Sequence, residues 1–273
     1  MNAHQRIVVK LSGTPVNEPG ACPGLWDALF DAAAQSEIVI VHGGGRAVDH
    51  RLAELGLNTT RRDGLRVTPR EHIGPVTGVL AGEVNTALVG VLIAAGVRAV
   101  GVGLSAGGLC ACSAIEGLGR VGRVDAGNGD VIAALLRASF VPVVHSIGLD
   151  DAGEPLNVNA DDAAAGIAAA ITADRLVLLT DVDGVMNADG GLVRSLDVAS
   201  ADALIADGVA REGMVPKLRA ACAAAGTTGE ALIGSWHRAA ELISGGGQGT
   251  RIIAGESSLR RRPKEPCSTQ PDA

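Results

Sequence analysis

Two lysines, one aspartate and a run of glycines are the residues of this sequence best suited to handling anions. Lys10-Leu11-Ser12-Gly13 follows a β-branched run, Ile7-Val8-Val9. A lysine and a small-residue turn at a strand end make a natural anion site: backbone N–H groups can approach phosphate oxygens and the ammonium adds a mobile charge. Taken alone, the tetrapeptide reads more readily as a plain turn with a surface lysine. His42-Gly43-Gly44-Gly45 ends a second apolar run and precedes a helical stretch. Its glycines allow close backbone approach where a helix N-terminus attracts an anion, and they exceed what a simple turn requires. Neither the dinucleotide fingerprint nor the Walker loop is present. Asn157-Val158-Asn159-Ala160-Asp161-Asp162 is polar and precedes an alanine-rich helix. It can cap that helix or aim its amides at a ligand, and both readings stay open for different residues. Thr180-Asp181-Val182-Asp183-Gly184 follows a strand-like run, where open α/β sheets place ligands. Gly213-Met214-Val215-Pro216-Lys217 opens a helix with a second lysine, which by itself is an ordinary exposed helix residue.

These segments are punctuation between regular elements. Ile7–Val9, Ile38–Val41, Ala99–Val102, Val141–Val144 and Leu176–Leu179 read as buried strands, with Ala231–Ile233 and Arg251–Ile253 as weaker candidates. Helices are expected over Arg46–Leu55, Glu83–Ala95, Gly129–Ala138, Ala160–Ala170 and Pro216–Ala225. Asp63-Gly64 predicts a hairpin turn before Leu65–Val67. The Pro- and Gly-rich stretch from Thr14 to Gly24 delays the first helix. Continuous apolar runs alternating with helices predict an α/β fold with a mostly parallel sheet covered on both faces. Residues 255–273 carry Arg, Pro, Ser and Lys without periodicity and read as a disordered tail.

The 273 residues suffice for one large α/β domain or two packed lobes. Trp26, Trp236, Phe30 and Phe140 are the whole aromatic complement, so the core must be aliphatic. The same scarcity argues against stacking platforms for single-stranded nucleic acid, and a net charge of -7 argues against non-specific DNA binding. Cys22, Cys110, Cys112, Cys222 and Cys267 form no CxxC pair and read as reduced thiols, with no protein metal site. No signal peptide precedes the first apolar run and no uninterrupted apolar stretch of about 18 residues occurs, so a cytoplasmic protein without membrane attachment is expected.

Taken together and in order, the segments resemble the amino acid kinase family over about Ile7 to Ile253. His42 to Asp49, Arg61 to Thr68, Leu80-Ala81-Gly82-Glu83-Val84-Asn85 and Leu156 to Asp161 carry the likeness. It is strongest to members that phosphorylate the γ-carboxylate of N-acetyl-L-glutamate with ATP and Mg2+ in arginine biosynthesis. The resemblance implies an open αβα sandwich of two lobes. Residues 1–172 would bind the acyl amino acid and form a homodimer, and residues 173–254 would bind ATP. Lys10 and Lys217 would stabilise the moving phosphoryl group, with Asp161 orienting both. Gly44, Gly45, Arg66 and Asn157 would hold acetylglutamate. Gly13, Asp181, Val182, Asp183, Gly184, Val185, Met186, Val209, Ala210 and Arg211 would contact the nucleotide. The first strand starts within ten residues of Met1, with no preceding helix of the kind that links arginine-regulated members into hexamers. The expected enzyme is therefore an arginine-insensitive dimer.

Elementary chemistry agrees. A γ-carboxylate is already ionised at neutral pH and needs no base. Catalysis is then positioning plus fixed positive charge, and Asp161 between two lysines would keep them in place and protonated. His42 accordingly reads as a structural hydrogen-bond partner. The family usually shows glycine where this chain has Ser12, whose side chain would crowd the phosphate or donate to it. A relative acting on carrier-linked aminoadipate is a competing reading, but such relatives tend to replace the glycine at Gly45. Uridylate kinase fits the contexts of Arg66 and Asn157 less well. A non-catalytic ligand-binding paralogue is disfavoured because both lysines and Asp161 are retained.

Overall fold

The computed structural model describes residues 4–211 and 213–254; the expected tail lies outside the described residues. The strands are β1 (Arg6–Leu11), β2 (Glu37–His42), β3 (Thr60–Arg62), β4 (Leu65–Val67), β5 (Ala99–Gly103), β6 (Cys110–Ala114), β7 (Val121–Gly127), β8 (Val141–His145), β9 (Ile147–Leu149), β10 (Pro155–Val158), β11 (Arg175–Thr180), β12 (Ser195–Asp197), β13 (Glu230–Ser235) and β14 (Thr250–Ile253). The helices are α1 (Thr14–Asn17), α2 (Pro23–Ala33), α3 (Gly45–Glu54), α4 (Arg70–Thr77), α5 (Asn85–Ala94), α6 (Asp130–Arg137), α7 (Ala160–Ala170), α8 (Val198–Ala206), α9 (Met214–Thr228) and α10 (Ala239–Ile243).

An eight-stranded sheet runs in the order β12-β14-β13-β11-β1-β2-β8-β5. All its pairings are parallel except β13 with β14. The expected mostly parallel sheet is therefore present, with both halves of the chain in it: β1 lies between β2 and β11, with Ile7 opposite Ile38 and Arg175. Side chains alternate across the sheet. Ile7, Val9 and Leu11 face a core with Leu25, Leu29, Leu52 and Leu88. Val8 faces the other core, with Ile132, Ile167 and Leu218. Helices thus cover both faces, and the buried hydrophobic side chains are aliphatic apart from Trp26 and three cysteines, Cys22, Cys110 and Cys112. On the Val8 face β1 ends in Lys10, which this alternation directs toward α7.

The hairpin joins Thr60–Arg62 to Leu65–Val67 through Asp63 and Gly64, both at positive φ (52° and 81°). A separate four-stranded sheet, β6-β7-β10-β9, was not foreseen. The expected helix Glu83–Ala95 is the end of a longer helical run, Arg70–Ala94, of 25 residues. A π-helical stretch, Gly78–Val84, separates α4 from α5. The run is long and apolar enough to cross a membrane by length and composition alone, with Glu83 and Asn85 interrupting its apolar residues. Its buried side, including Val76, Val79, Leu88 and Leu92, packs in the core beneath the sheet.

Candidate active site

Lys10, Asp161 and Lys217 come from β1, the first turn of α7 and the first turn of α9. Asn159 caps α7, its side chain accepting from the amides of Asp161 (2.8 Å) and Asp162 (3.4 Å). Of the two asparagines, Asn159 is thus the cap. The capped turn sets the Asp161 carboxylate against Lys10 Nζ at 2.7 Å and Lys217 Nζ at 3.1 Å. Lys10 is 4% and Asp161 5% exposed. Burial works against the Asp161 charge, yet Lys10 and Lys217 hold its carboxyl below the usual range. Burial also lowers Lys10; Asp161 opposes that and Lys217 reinforces it, leaving Lys10 at about 8. Asp161 therefore pairs with both lysines, but it does not keep Lys10 at an ordinary lysine value, because desolvation outweighs the ion pair. Lys10 still carries its charge at neutral pH.

This trio borders a cleft of about 320 Å³ whose lining also includes Gly13, Gly44, Gly45, Arg66 and Asn157. Gly44 and Gly45 join β2 to α3. A Cβ at Gly44 would lie 2.9 Å from Leu80 Cδ2, so the loop leaves no room for a side chain there. Arg66, 7% exposed, donates to Gly45 O (2.9 Å) and pairs with Asp49. Each terminal guanidinium nitrogen carries two N–H groups, so each has a second N–H beyond these bonds. Burial disfavours the Asp49 charge, but Arg66 and Arg61 hold its carboxyl below the ordinary range. Asn157 donates to Thr68 Oγ1 (3.0 Å).

The nucleotide set is more scattered. Gly13 lines the cleft at φ 73°, and a Cβ there would fall 2.0 Å from the Asp181 carboxylate. Asp181 Oδ1 accepts from Thr14 N (3.0 Å) and Trp236 Nε1 (3.1 Å). Val182, Asp183 and Met186 are exposed. Gly184 and Val185 are buried, and the Val185 amide donates to Thr250 Oγ1 (2.8 Å). Val209 and Ala210 both donate their amides to Leu204 O, and Arg211 is exposed. Asp181 to Met186 and Val209 to Arg211 do not line the reactant cleft; Gly13 does.

Ser12 lines the cleft, but its hydroxyl (2.8 Å) and its amide (3.1 Å) are both spent on Leu179 O. Two residues near the glycine loop stand out only in the structure. Asp49 anchors Arg66 and Arg61, and Asn85 contacts His42. Both lie inside the quoted motifs, but only tertiary structure reveals their partners.

Comparison with known proteins agrees with this geometry. Residues 5–235 match the model of the amino acid kinase family. The acetylglutamate kinase of Aliivibrio fischeri (strain MJ11) is 41% identical over 253 residues, covering 90% of this chain and 97% of that protein. The acetylglutamate kinase of Vibrio cholerae serotype O1 (strain M66-2) is also 41% identical, over 254 residues, with the same coverage of 90% and 97%. Among solved structures, smu.665 from Streptococcus mutans UA159 superposes with a TM-score of 0.79 at 29% identity, covering 90% of this chain and 98% of that one. The chain belongs to the amino acid kinase family, in its acetylglutamate kinase branch.

Proposed function

We propose that the chain transfers the γ-phosphoryl group of ATP to the γ-carboxylate of N-acetyl-L-glutamate, giving N-acetyl-L-glutamyl 5-phosphate and ADP in arginine biosynthesis. The observation that carries this reading is the pair of lysines on one buried carboxylate, facing a glycine loop and Arg66 across a single cleft. Two anions must meet there in line. Lys10 and Lys217 neutralise charge as it spreads over the moving group, while Asp161 keeps them from pairing with either reactant in a wrong pose. The unspent N–H groups of Arg66 take the α-carboxylate, and Asn157 borders the same acceptor space. The kinship with enzymes named acetylglutamate kinase supports this acceptor.

Asp161 is the one carboxylate among the described residues lining the cleft, and it is committed to the lysines. This donor set fits Mg2+ carried by the nucleotide's phosphates and water rather than by a protein cage. When bound, that ion supplies charge neutralisation at the β- and γ-phosphates. The nucleotide is assigned to the rim from Asp181 to Met186 and Val209 to Arg211, making residues 173–254 the ATP lobe and residues 1–172 the acceptor lobe.

A homodimer formed through α5 belongs to the same reading. Ile93 is 57% exposed there beside Gly90 and Ala94, and β5 ends the sheet next to it. Light scattering on the purified chain checks the mass, and a monomer would remove this element.

An ADP-release assay across N-acetylglutamate, glutamate, aspartate, N-acetylaminoadipate and UMP tests the acceptor. Preference for N-acetylglutamate is expected; turnover of another compound at comparable efficiency would overturn the assignment.

A further inference from the structure

The stretch Leu80 to Asn85 carries part of the family likeness, yet that likeness implies no chemical task for its residues. In the structure it is the π-helical turn and the first residue of α5. π-turns inside α-helices widen the helix by one residue and recur at functional sites. This one presents three side chains to the acceptor loop. Leu80 and Val84 close on Gly44, where a Cβ would lie 2.9 Å and 3.1 Å from their methyl groups. Asn85 reaches past them to His42, which is fully buried.

The hydrogen bonds around these residues fix one another. Asn85 Nδ2 is 2.9 Å from Val143 O and 2.9 Å from His42 Nε2. A carbonyl can only accept, so the nitrogen end of the amide must face Val143, and its second N–H then points at His42. His42 Nε2 must therefore be the unprotonated, accepting nitrogen. The ring proton resides on Nδ1, 2.9 Å from Gly43 O, and donates to it. The Gly43–Gly44 peptide is planar and trans, so its carbonyl and its N–H point in opposite directions. With the carbonyl held toward the buried imidazole, the Gly44 N–H faces the cleft. Among the described residues no acceptor for that N–H is found within the chain. Burial, first among the causes, drops the His42 pKa to about 4, so the ring stays neutral and the arrangement persists at physiological pH.

We propose that His42 and Asn85 are positioning residues that lock the Gly43–Gly44 peptide with its N–H aimed at the transferring phosphoryl group or the acceptor carboxylate. Neither touches a reactant. The relay runs from the Val143 carbonyl through the Asn85 amide and the imidazole tautomer to the glycine peptide. Gly101, on the edge strand β5, leaves the space that the Asn85 oxygen fills: a Cβ there would lie 2.1 Å from Oδ1. This rests on the acceptor reading above for what the N–H meets, but not for which way it points.

The first test uses the unmodified protein without substrate. A histidine-selective two-bond 1H–15N spectrum, with the His42 signal assigned from its loss in His42→Asn, should show the Nδ1–H tautomer at pH 7. The Nε2–H tautomer would overturn the proposal. The second test uses kinetics with ATP and N-acetyl-L-glutamate. Asparagine can place an amide N–H near the position of Nδ1, whereas leucine cannot. His42→Leu should lower kcat by about ten- to a hundredfold, less than the loss of an oxyanion donor itself, with KM for ATP within about twofold. His42→Asn should recover most of that loss. Equal rates in the two variants would overturn the proposal. If the wild type does not turn over acetylglutamate, the acceptor reading fails by itself, and the tautomer still decides this one.

Discussion

The side of the cleft proposed for the acceptor and the side proposed for the nucleotide are built in opposite ways. On the acceptor side, His42, Arg66 and Asn85 are buried and each has an identified hydrogen-bond partner. On the nucleotide side, Val182 (44%) and Met186 (39%) stand exposed. Under the proposed assignment, the contrast follows from what each half must distinguish. Rejecting glutamate or a longer acyl amino acid needs fixed donors at fixed distances, because a misplaced polar group is left unpaired. A nucleotide brings a large flat base and a chain of phosphates, and backbone groups with apolar contacts suffice to hold it. Lys10, Lys217 and Asp161 form the seam, and substitutions on its two flanks should produce different kinetic signatures.

The largest effect should come from the seam. Lys10→Ala or Lys217→Ala should cut kcat by about 10²–10³ with smaller changes in either KM, because each charge acts on the transition state. Steady-state kinetics would show this, and a rate within about threefold of wild type removes that lysine from the chemistry. Next comes the acceptor flank. Arg66→Lys keeps the charge but not the planar fork; KM for acetylglutamate should rise roughly tenfold or more while KM for ATP holds. A change confined to ATP would mean that the two flanks have been interchanged.

A third prediction concerns pH. The proposed reaction uses Lys10 as a cation, and its pKa is lowered to about 8 by burial. Protonated Lys10 predominates below that value, so kcat/KM should fall as pH rises through about 8, approaching tenfold per pH unit beyond it. Saturating ATP, an anion beside the ammonium, should move the limb upward. A profile flat to pH 10 would remove Lys10 as the titrating group. The smallest effect is expected at Ser12. Its hydroxyl bonds Leu179 O, so Ser12→Gly should leave kcat within about threefold and lower stability by about 1 kcal/mol, read by chemical denaturation. A large loss of rate would show the hydroxyl acting on the phosphate after all.

The same contrast governs how much could be read before the structure. The central strands were legible because a strand buried on both faces is a short unbroken apolar run, as at Ile38–Val41. The β6-β7-β10-β9 sheet was not: Cys110–Ala114 is made of small residues and Val121–Gly127 alternates poorly. The helix before Asn85 was hidden by Pro75 and by Gly74, Gly78 and Gly82, residues that normally argue against one. Within the site, the glycine loop and the lysines stood out by composition. Their convergence on Asp161 did not, since nothing local links positions 10, 161 and 217; the family likeness supplied it. Asp49, which pairs with Arg66, lies in a segment that carries the family likeness, but nothing local to it named Arg66 as its partner.

The placement of β1 between β2 and β11 has a consequence for how the protein is made. Its first strand can pair with β2 soon after leaving the ribosome, but its other edge stays open until residues near 180 have been synthesised. At about 5–20 residues per second that wait is on the order of ten to thirty seconds. Throughout it an apolar strand edge is uncovered, and Lys10 lacks the carboxylate that will hold it. The nascent chain should therefore depend on a holding chaperone over this interval, and a chain released before β11 emerges should aggregate rather than form a stable half-molecule.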